Sequence, residues 1–352
     1  SMTHGTGSTS PDTDCRPSVD PADPALPWLR AELGRVLGAG RPLRPEETAV
    51  EVRRERAWGD IWTVTVRGRL FWFKRPAAAL AREVGLRRLL QAREPAHLLP
   101  LVAADAERGW MLTEDQGPVL AARAREDGPD HYAGLARALA AVQRALTPQD
   151  VETLAAAAMP RFAPRDAVAR LDAQLAPFAA LDPGHPAHCT AAERARALEA
   201  TAAVVRHWEG LEAAARPGLL PGLGVDHNDL HGGNAFVDAA GAVRITDWGD
   251  AVLAHPFASL RALLGPVRTV FGDAAADDVR AAYVDAWAGP TPGPRDRALL
   301  EDALETAMRL AVPQRLSCWT ALADPPAWAD YAEYIVPLWR EAGTPIRETT
   351  TA

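Results

Sequence analysis

The chain has 352 residues, 48% of them hydrophobic and 24% charged, a composition that excludes full disorder and supports two or three apolar cores. No window approaches the roughly 18 consecutive apolar residues of a membrane span. No basic segment runs into an apolar one at the N-terminus, so a cytoplasmic protein with no membrane partner is expected. The formal net charge of −8 is uneven, +1 before Gly117 and −9 from Gly117 onward, which disfavours nucleic acid and favours a cationic small molecule. Of 38 basic residues 37 are arginine, and Lys74 is the single lysine. Cys15, Cys189 and Cys318 are odd in number and far apart, so neither a disulfide framework nor a paired metal site is on offer and the compartment should be reducing.

Residues 1–24 are Ser, Thr, Asp and Pro with little that is apolar, too polar to offset the entropy of ordering, and a disordered tail is expected. Trp28, Leu29, Leu33, Val36 and Leu37 then recur at helical spacing until Gly38 and Gly40. Three strand-like runs follow at 48–56, 61–66 and 70–74, separated by turns at Trp58-Gly59-Asp60 and Arg67-Gly68-Arg69, and they read as an antiparallel meander. The Ala-, Leu- and Arg-rich stretch 77–93 reads as a helix, and 98–104 and 110–114 as two more strands. The expectation is a five-stranded antiparallel sheet with one helix inserted after its third strand.

Asp115-Gln116-Gly117-Pro118 is a turn cluster at the charge boundary and divides the chain into 25–117 and 118–345. Beyond it the pattern predicts helices over 131–146, 164–180, 191–215, 257–270, 276–287, 295–311 and 327–341. One short hairpin, 235–238 with 243–247, interrupts them. The class is α+β, with a sheet-bearing first part and a larger, mainly helical second part.

The chemistry concentrates in Asp226-His227-Asn228-Asp229-Leu230-His231-Gly232-Gly233-Asn234 and, after the hairpin, Asp247-Trp248-Gly249-Asp250. Polar groups crowd a loop with two glycines between apolar runs, and the next strand ends in another carboxylate. Asp229, Asn234 and Asp247 can converge on one point. A carboxylate with an amide oxygen suits a hard cation such as Mg²⁺, which takes substrate phosphates and water as its other ligands. The second carboxylate is then left to accept a proton.

This pattern, H-x-D-x-x-x-x-N and then a strand ending in D-W-G-D, resembles the aminoglycoside phosphotransferase (APH) family of the protein-kinase-like fold. The family's H-G-D-L-H-x-G-N reads here as His227-Asn228-Asp229-Leu230-His231-Gly232-Gly233-Asn234, its metal-binding aspartate matches Asp247, and the order of elements agrees over about 27–345. The resemblance implies a bilobal molecule, with a nucleotide-binding N-lobe at 25–117 and a C-lobe at 118–345 that holds the catalytic loop and the acceptor.

It further implies ATP or GTP as phosphoryl donor, Mg²⁺ as cofactor and a small-molecule hydroxyl as acceptor. Asp229 would be the catalytic base, Asn234 and Asp247 the metal ligands, and Lys74 the phosphate-binding lysine, paired with Glu83 nine residues on. Gly59 would cover the phosphates, while the strand to Glu114 and Gln116 would hold the nucleotide base. His227, His231 and Asp250 are supporting candidates. That the one lysine in an arginine-rich chain falls at the end of the third strand is an independent sign, because a broad guanidinium would not fill a slot made for an ammonium.

Where the family continues G-D-P-x-x-D-L, this chain reads Ala254-His255-Pro256-Phe257-Ala258-Ser259-Leu260, so Ser259 stands at the position of the bracing aspartate. About ten residues separate Asp247-Trp248-Gly249-Asp250 from the next helix, which leaves no room for a peptide-binding activation segment. An antibiotic of aminoglycoside or nucleoside type is the expected acceptor. A metabolic kinase for a sugar, amino alcohol or nucleoside and a non-catalytic nucleotide-binding regulator are the alternatives. His185, His188 and Cys189 match no structural zinc spacing, and the aromatic residues Trp287, Trp319, Trp328, Tyr331, Tyr334 and Trp339 read mostly as core, with one or two free to line a cleft.

Overall fold

A computed structural model describes residues 18–345, so residues 1–17 of the expected tail, with Cys15, lie outside the described residues. Asp23, within the expected tail, is docked: its carboxylate accepts two hydrogen bonds from Arg75, at 2.9 Å each. Helix α1 (Ala25–Val36) then leads into strands β1 (Ala49–Arg56), β2 (Gly59–Val66) and β3 (Arg69–Pro76), helix α2 (Glu83–Arg93), and strands β4 (Ala103–Asp105) and β5 (Trp110–Glu114). The five strands form one antiparallel sheet in the order β1-β2-β3-β5-β4.

Alternation fixes what each face does. Trp62, Val64, Val66, Phe71 and Phe73 point to one side, where Leu29 and Leu33 of α1 complete a core. Lys74 follows Phe73 and faces the other way, and it lies opposite Ile61 on β2 and Met111 on β5, in the middle of the sheet.

Three local expectations need correction. The β1–β2 turn is Ala57-Trp58, and Gly59 and Asp60 are already strand residues paired with Arg56 and Glu55. A Cβ on Gly59 would lie 2.6 Å from the Arg75 carbonyl oxygen, so this glycine answers to close strand packing. The stretch 77–93 is a 3₁₀ turn, Ala78–Leu80, followed by α2. Of 98–104, only Ala103 and Ala104 are in a strand; Pro100 cannot donate to a ladder, and Leu99 instead donates to Ile245 O at 3.0 Å in the second lobe.

The C-lobe contains α3 (Leu120–Asp127), α4 (Asp130–Arg144), α5 (Pro148–Ala156), β6 (Arg161–Phe162), α6 (Ala167–Ala179) and α7 (Ala191–Ala214). It continues through β7 (Gly224–Asp226), β8 (Ala235–Val237), β9 (Val243–Ile245) and β10 (Val252–Ala254). It ends with α8 (Arg261–Phe271), α9 (Asp273–Ala288), α10 (Pro294–Arg309), α11 (Val312–Leu322), α12 (Pro325–Asp330) and α13 (Ala332–Ala342). The sequence pattern misses α3, α5 and α11, and joins α12 to α13. Helix α5 carried a legible signal, the Thr147–Asp150 capping box ahead of Pro148. In α11 Pro313 reads as a breaker but sits in the first turn, where its missing N–H costs nothing. Among the described residues no helix is long and apolar enough to cross a membrane.

β7 pairs antiparallel with β10, and β8 with β9, so the motif loop runs between two short strand pairs. Gln143 of α4 fixes this layer from beneath. Its buried Nε2 donates to Val225 O (2.9 Å), Pro256 O (3.0 Å) and Ser259 Oγ (3.1 Å), and its Oε1 accepts from the Tyr283 hydroxyl at 2.6 Å. Gln143→Leu keeps the volume and strips several buried partners at once. The expected cost is about 2–4 kcal/mol, read as a lower urea midpoint with an unchanged m-value; an unchanged midpoint would contradict this role.

Candidate active site

The first cluster joins three segments. Lys74 Nζ donates to Glu83 Oε2 at 2.6 Å and to Asp247 Oδ1 at 2.5 Å. Glu83, the first residue of α2, is fully buried, and its other oxygen accepts from the Trp248 amide at 2.9 Å. Burial works against the ammonium, but the carboxylates of Asp247 and Glu83 hold it protonated well above the usual lysine range. Gly249 is required beside it, since a Cβ there would lie 3.0 Å from both Lys74 Nζ and Glu83 Oε2. Asp247 lies two residues beyond the end of β9, not at its last position as expected, and its φ of +60° is a left-handed conformation that non-glycine residues seldom adopt.

The motif loop supplies the second cluster. His227 is buried, packs against Trp248 in a tilted contact with centroids 4.6 Å apart, and its Nε2 meets Thr246 O at 2.9 Å. Burial lowers its pKa more than Thr246 O and the nearby carboxylates raise it, which suits a neutral ring that braces the loop. Asn228 has φ +67°, and its N–H donates to Asp226 Oδ1 at 2.8 Å. The family has glycine at this position; asparagine is the other residue that enters this region at low cost.

His231 caps the 3₁₀ turn Gly232–Asn234 by accepting from the Gly233 N–H at 3.0 Å. Gly232 has no room for a Cβ, which would lie 2.5 Å from the Tyr132 hydroxyl oxygen. Asn234 Nδ2 donates to Asp229 O at 2.9 Å, and the Thr246 N–H donates to Asn234 O at 2.9 Å, which brings Asn234 beside the Asp247 segment.

Asn234 and Asp247 thus offer one amide oxygen and one carboxylate. Among the described residues no group of three or more His, Cys, Asp or Glu side chains is arranged to hold a metal. Two oxygen donors are the protein share expected when Mg²⁺ is held jointly with phosphates, so the residues present fit that ion.

Sequence reasoning missed Arg315 of α11. Its Nη2 lies 3.2 Å from Asp229 Oδ1, its Nη1 donates to Asp250 Oδ2 at 2.9 Å, and all three side chains are buried or nearly so. Burial would raise the Asp229 carboxyl, but the Arg315 guanidinium beside it, with His231 contributing, holds it below the usual carboxylate range. One arginine among 37 carries no mark in the sequence.

Asp226 was also missed as a functional neighbour. Ser259 Oγ donates to Asp226 Oδ1 at 2.8 Å and accepts from the His227 N–H at 3.1 Å, so serine and aspartate together occupy the bracing position. Asp226 Oδ2 is buried with no hydrogen-bond partner among the described residues.

The nucleotide-side candidates are more scattered. A cleft of about 480 Å³ lies under the β1–β2 hairpin and is lined by Trp58, Gly59, Lys74, Asp247 and Asp250 among others. The Glu114 side chain is turned aside into an ion pair with Arg69 at 2.9 Å, and Gln116 Nε2 donates to Glu114 O at 3.1 Å. Neither side chain lines this cleft. The ring nitrogens of His185 and His188 meet backbone carbonyls, and Cys189 is a buried free thiol pushed up to about 11 by burial. Trp319, Trp328 and Trp339 are core, while Tyr334 is exposed.

The fold is the two-lobed α+β fold of protein kinases, as solved structures show. The choline kinase LicA from Streptococcus pneumoniae is similar over 90% of this chain and 96% of its own, at 14% identity and a TM-score of 0.55. A macrolide 2′-phosphotransferase from Brachybacterium faecium is similar over 92% and 100%, at 16% identity and a TM-score of 0.51. The GDP and kanamycin complex of APH(2")-IIia is similar over 84% and 92%, at 17% identity and a TM-score of 0.51. Comparison with curated protein sequences finds no relative. The model of the phosphotransferase enzyme family, APH, matches residues 60–300, and the chain belongs to that family. It is a phosphotransferase of the kind that acts on small-molecule hydroxyl groups.

Two predictions follow from the geometry. Lys74→Arg keeps the charge, but its fork cannot enter a slot bounded by Glu83, Asp247 and the missing Cβ of Gly249. Nucleotide turnover should fall by roughly 10²-fold, almost as far as in Lys74→Ala, and a fully active Lys74→Arg enzyme would contradict the assignment.

Burial raises the Asp226 carboxyl from 3.8 to about 6. Its folded-state preference is therefore for the protonated form, and stability from this group is lost as pH rises through that interval. Asp226→Asn should gain on wild type between about pH 4 and pH 7, by up to roughly 3 kcal/mol. Thermal melts across that range will show it, and a difference independent of pH would rule it out.

Proposed function

We propose that this protein transfers the γ-phosphoryl group of ATP or GTP, with Mg²⁺, to a hydroxyl of a small molecule. The observation that carries the reading is the convergence of Lys74, Glu83 and Asp247 with Asp229 and Asn234 from elements far apart in sequence. Lys74, held by Glu83, binds the phosphates; Asp247 and Asn234 hold Mg²⁺, which neutralises phosphate charge. Asp229 accepts a hydrogen bond from the acceptor hydroxyl and aims its oxygen at the phosphorus. A carboxylate held low by the adjacent Arg315 guanidinium is a weak base, which suits orientation more than early proton removal. A loose phosphoryl-transfer transition state demands little early deprotonation.

The chain passes from Asp247 through β10 to the 3₁₀ turn at Pro256, which argues for a small acceptor over a peptide. We place the acceptor among antibiotics, with amino alcohols, sugars and nucleosides as the metabolic alternative, and the buried free thiols of Cys189 and Cys318 suit a reducing cytoplasm. ADP or GDP formation, with the phosphorylated acceptor as co-product, measured across kanamycin, a macrolide, a nucleoside antibiotic, choline and simple sugars will separate the two classes. Asp229→Asn should lower kcat by roughly 10²–10⁴-fold while nucleotide affinity stays within about threefold. Full turnover in that variant would refute the role of Asp229.

A further inference from the structure

We propose that Arg315 is the positioning residue for Asp229, and that α11 seats it in register with the nucleotide-covering hairpin through Trp319 and Trp58. The inference rests on the reading of Asp229 as the acceptor-orienting carboxylate.

Asp229 and Asp250 come from two separate segments, the loop after β7 and the segment after β9. A single planar guanidinium bridges them, with Nη2 3.2 Å from Asp229 Oδ1 and Nη1 2.9 Å from Asp250 Oδ2. Nη1 also donates to Asn228 O at 3.3 Å, while Asn228 Nδ2 donates to Asp250 O (3.0 Å) and to Gln314 O (2.8 Å) on α11. The loop, the Asp250 segment and α11 are thereby locked together around one cation. With Oδ1 taken by Arg315, Oδ2 of Asp229 is directed toward Asn234 Nδ2 and His231 Nε2, at 3.5 and 3.7 Å. Arginine is suited to this place because its fork reaches two carboxylates in one plane, which an ammonium cannot do with the same spacing.

One turn further along α11, Trp319 is fully buried and meets Trp58 edge-on with centroids 6.0 Å apart. Tyr331 closes the group, 5.0 Å from Trp58 and 5.5 Å from Trp319. Trp58 forms the β1–β2 turn and lines the cleft with Lys74 and Asp247. The hairpin that covers the phosphates therefore reaches across to the helix that holds the acceptor-side carboxylate. Any shift of that hairpin is transmitted to α11, and α11 sets where Asp229 points.

The test uses the full chain with Mg²⁺ and either ATP or GTP, and water as the acceptor. Phosphate release gives turnover, and calorimetry gives nucleotide Kd. Arg315→Lys, which keeps a buried cation and so protects the fold, should lose roughly 10–100-fold in turnover with Kd within about threefold. Arg315→Met should lose at least as much. Trp58→Ala should weaken both turnover and nucleotide binding, and in the double variant Trp58→Ala with Arg315→Lys the combined loss should be smaller than the product of the two.

A crystal structure of Arg315→Lys should show the Asp229 carboxylate displaced. Wild-type turnover in Arg315→Lys overturns the proposal, as does an Asp229 carboxylate left in place. Strict multiplicativity in the double variant overturns the link to Trp58. A wild-type protein that neither binds nor hydrolyses either nucleotide would instead refute the phosphotransfer reading, and the position of Asp229 in the Arg315→Lys crystal would still decide the structural claim.

Discussion

The site depends on one half-buried ammonium shared by two carboxylates. Lys74 joins the sheet of the N-lobe, which packs in one core with α1, to the first turn of α2 and the segment after β9, whose Leu86, Leu90 and Trp248 pack in the core of the second lobe. Removing either carboxylate would leave the ammonium a single partner and release one of the segments it joins. The contact therefore ties the lobes at the site itself, beside the Leu99–Ile245 hydrogen bond and the Trp58–Trp319 contact. Glu83 makes it specific, because its second oxygen is committed to the Trp248 amide and leaves one geometry for the pair.

Arg315 repeats the device on the acceptor side. Each cation sits between two carboxylates drawn from different segments, Lys74 between Glu83 and Asp247, Arg315 between Asp229 and Asp250. The first is a point charge that a phosphate oxygen can approach; the second is a fork that fixes direction. Asp247 and Asp250 lie three residues apart, so the Asp247-Trp248-Gly249-Asp250 segment is held by both cations at once. Asp247 and Asn228 both take left-handed φ values, and Asn228 is held in place by hydrogen bonds from its N–H to Asp226 Oδ1 and from its Nδ2 to Asp250 O.

Much of this was legible before any coordinates. Alternation over 61–66 and 70–74 marked an antiparallel meander with Lys74 at the end of its third run, and the motif spacing let Asp229, Asn234 and Asp247 converge on one point. Other parts were not legible for physical reasons. Arg315 is chemically indistinguishable in sequence from 36 other arginines, and the first turn of its helix carries a proline, Pro313, that reads as a stop. Trp58 was read as a turn residue alone, since its partners Trp319 and Tyr331 come from the other end of the chain. The Ser259 substitution was visible, but its compensation by Asp226 depends on two segments meeting across 33 residues.

The most direct test of the account is a crystal structure with Mg²⁺ and a non-hydrolysable ATP analogue. Lys74 should keep its contact with Glu83, leave Asp247 Oδ1 and take a phosphate oxygen instead, while Asp247 turns to the cation. A Lys74–Asp247 contact that persists at 2.5 Å, with the nucleotide bound away from this cleft, would contradict it.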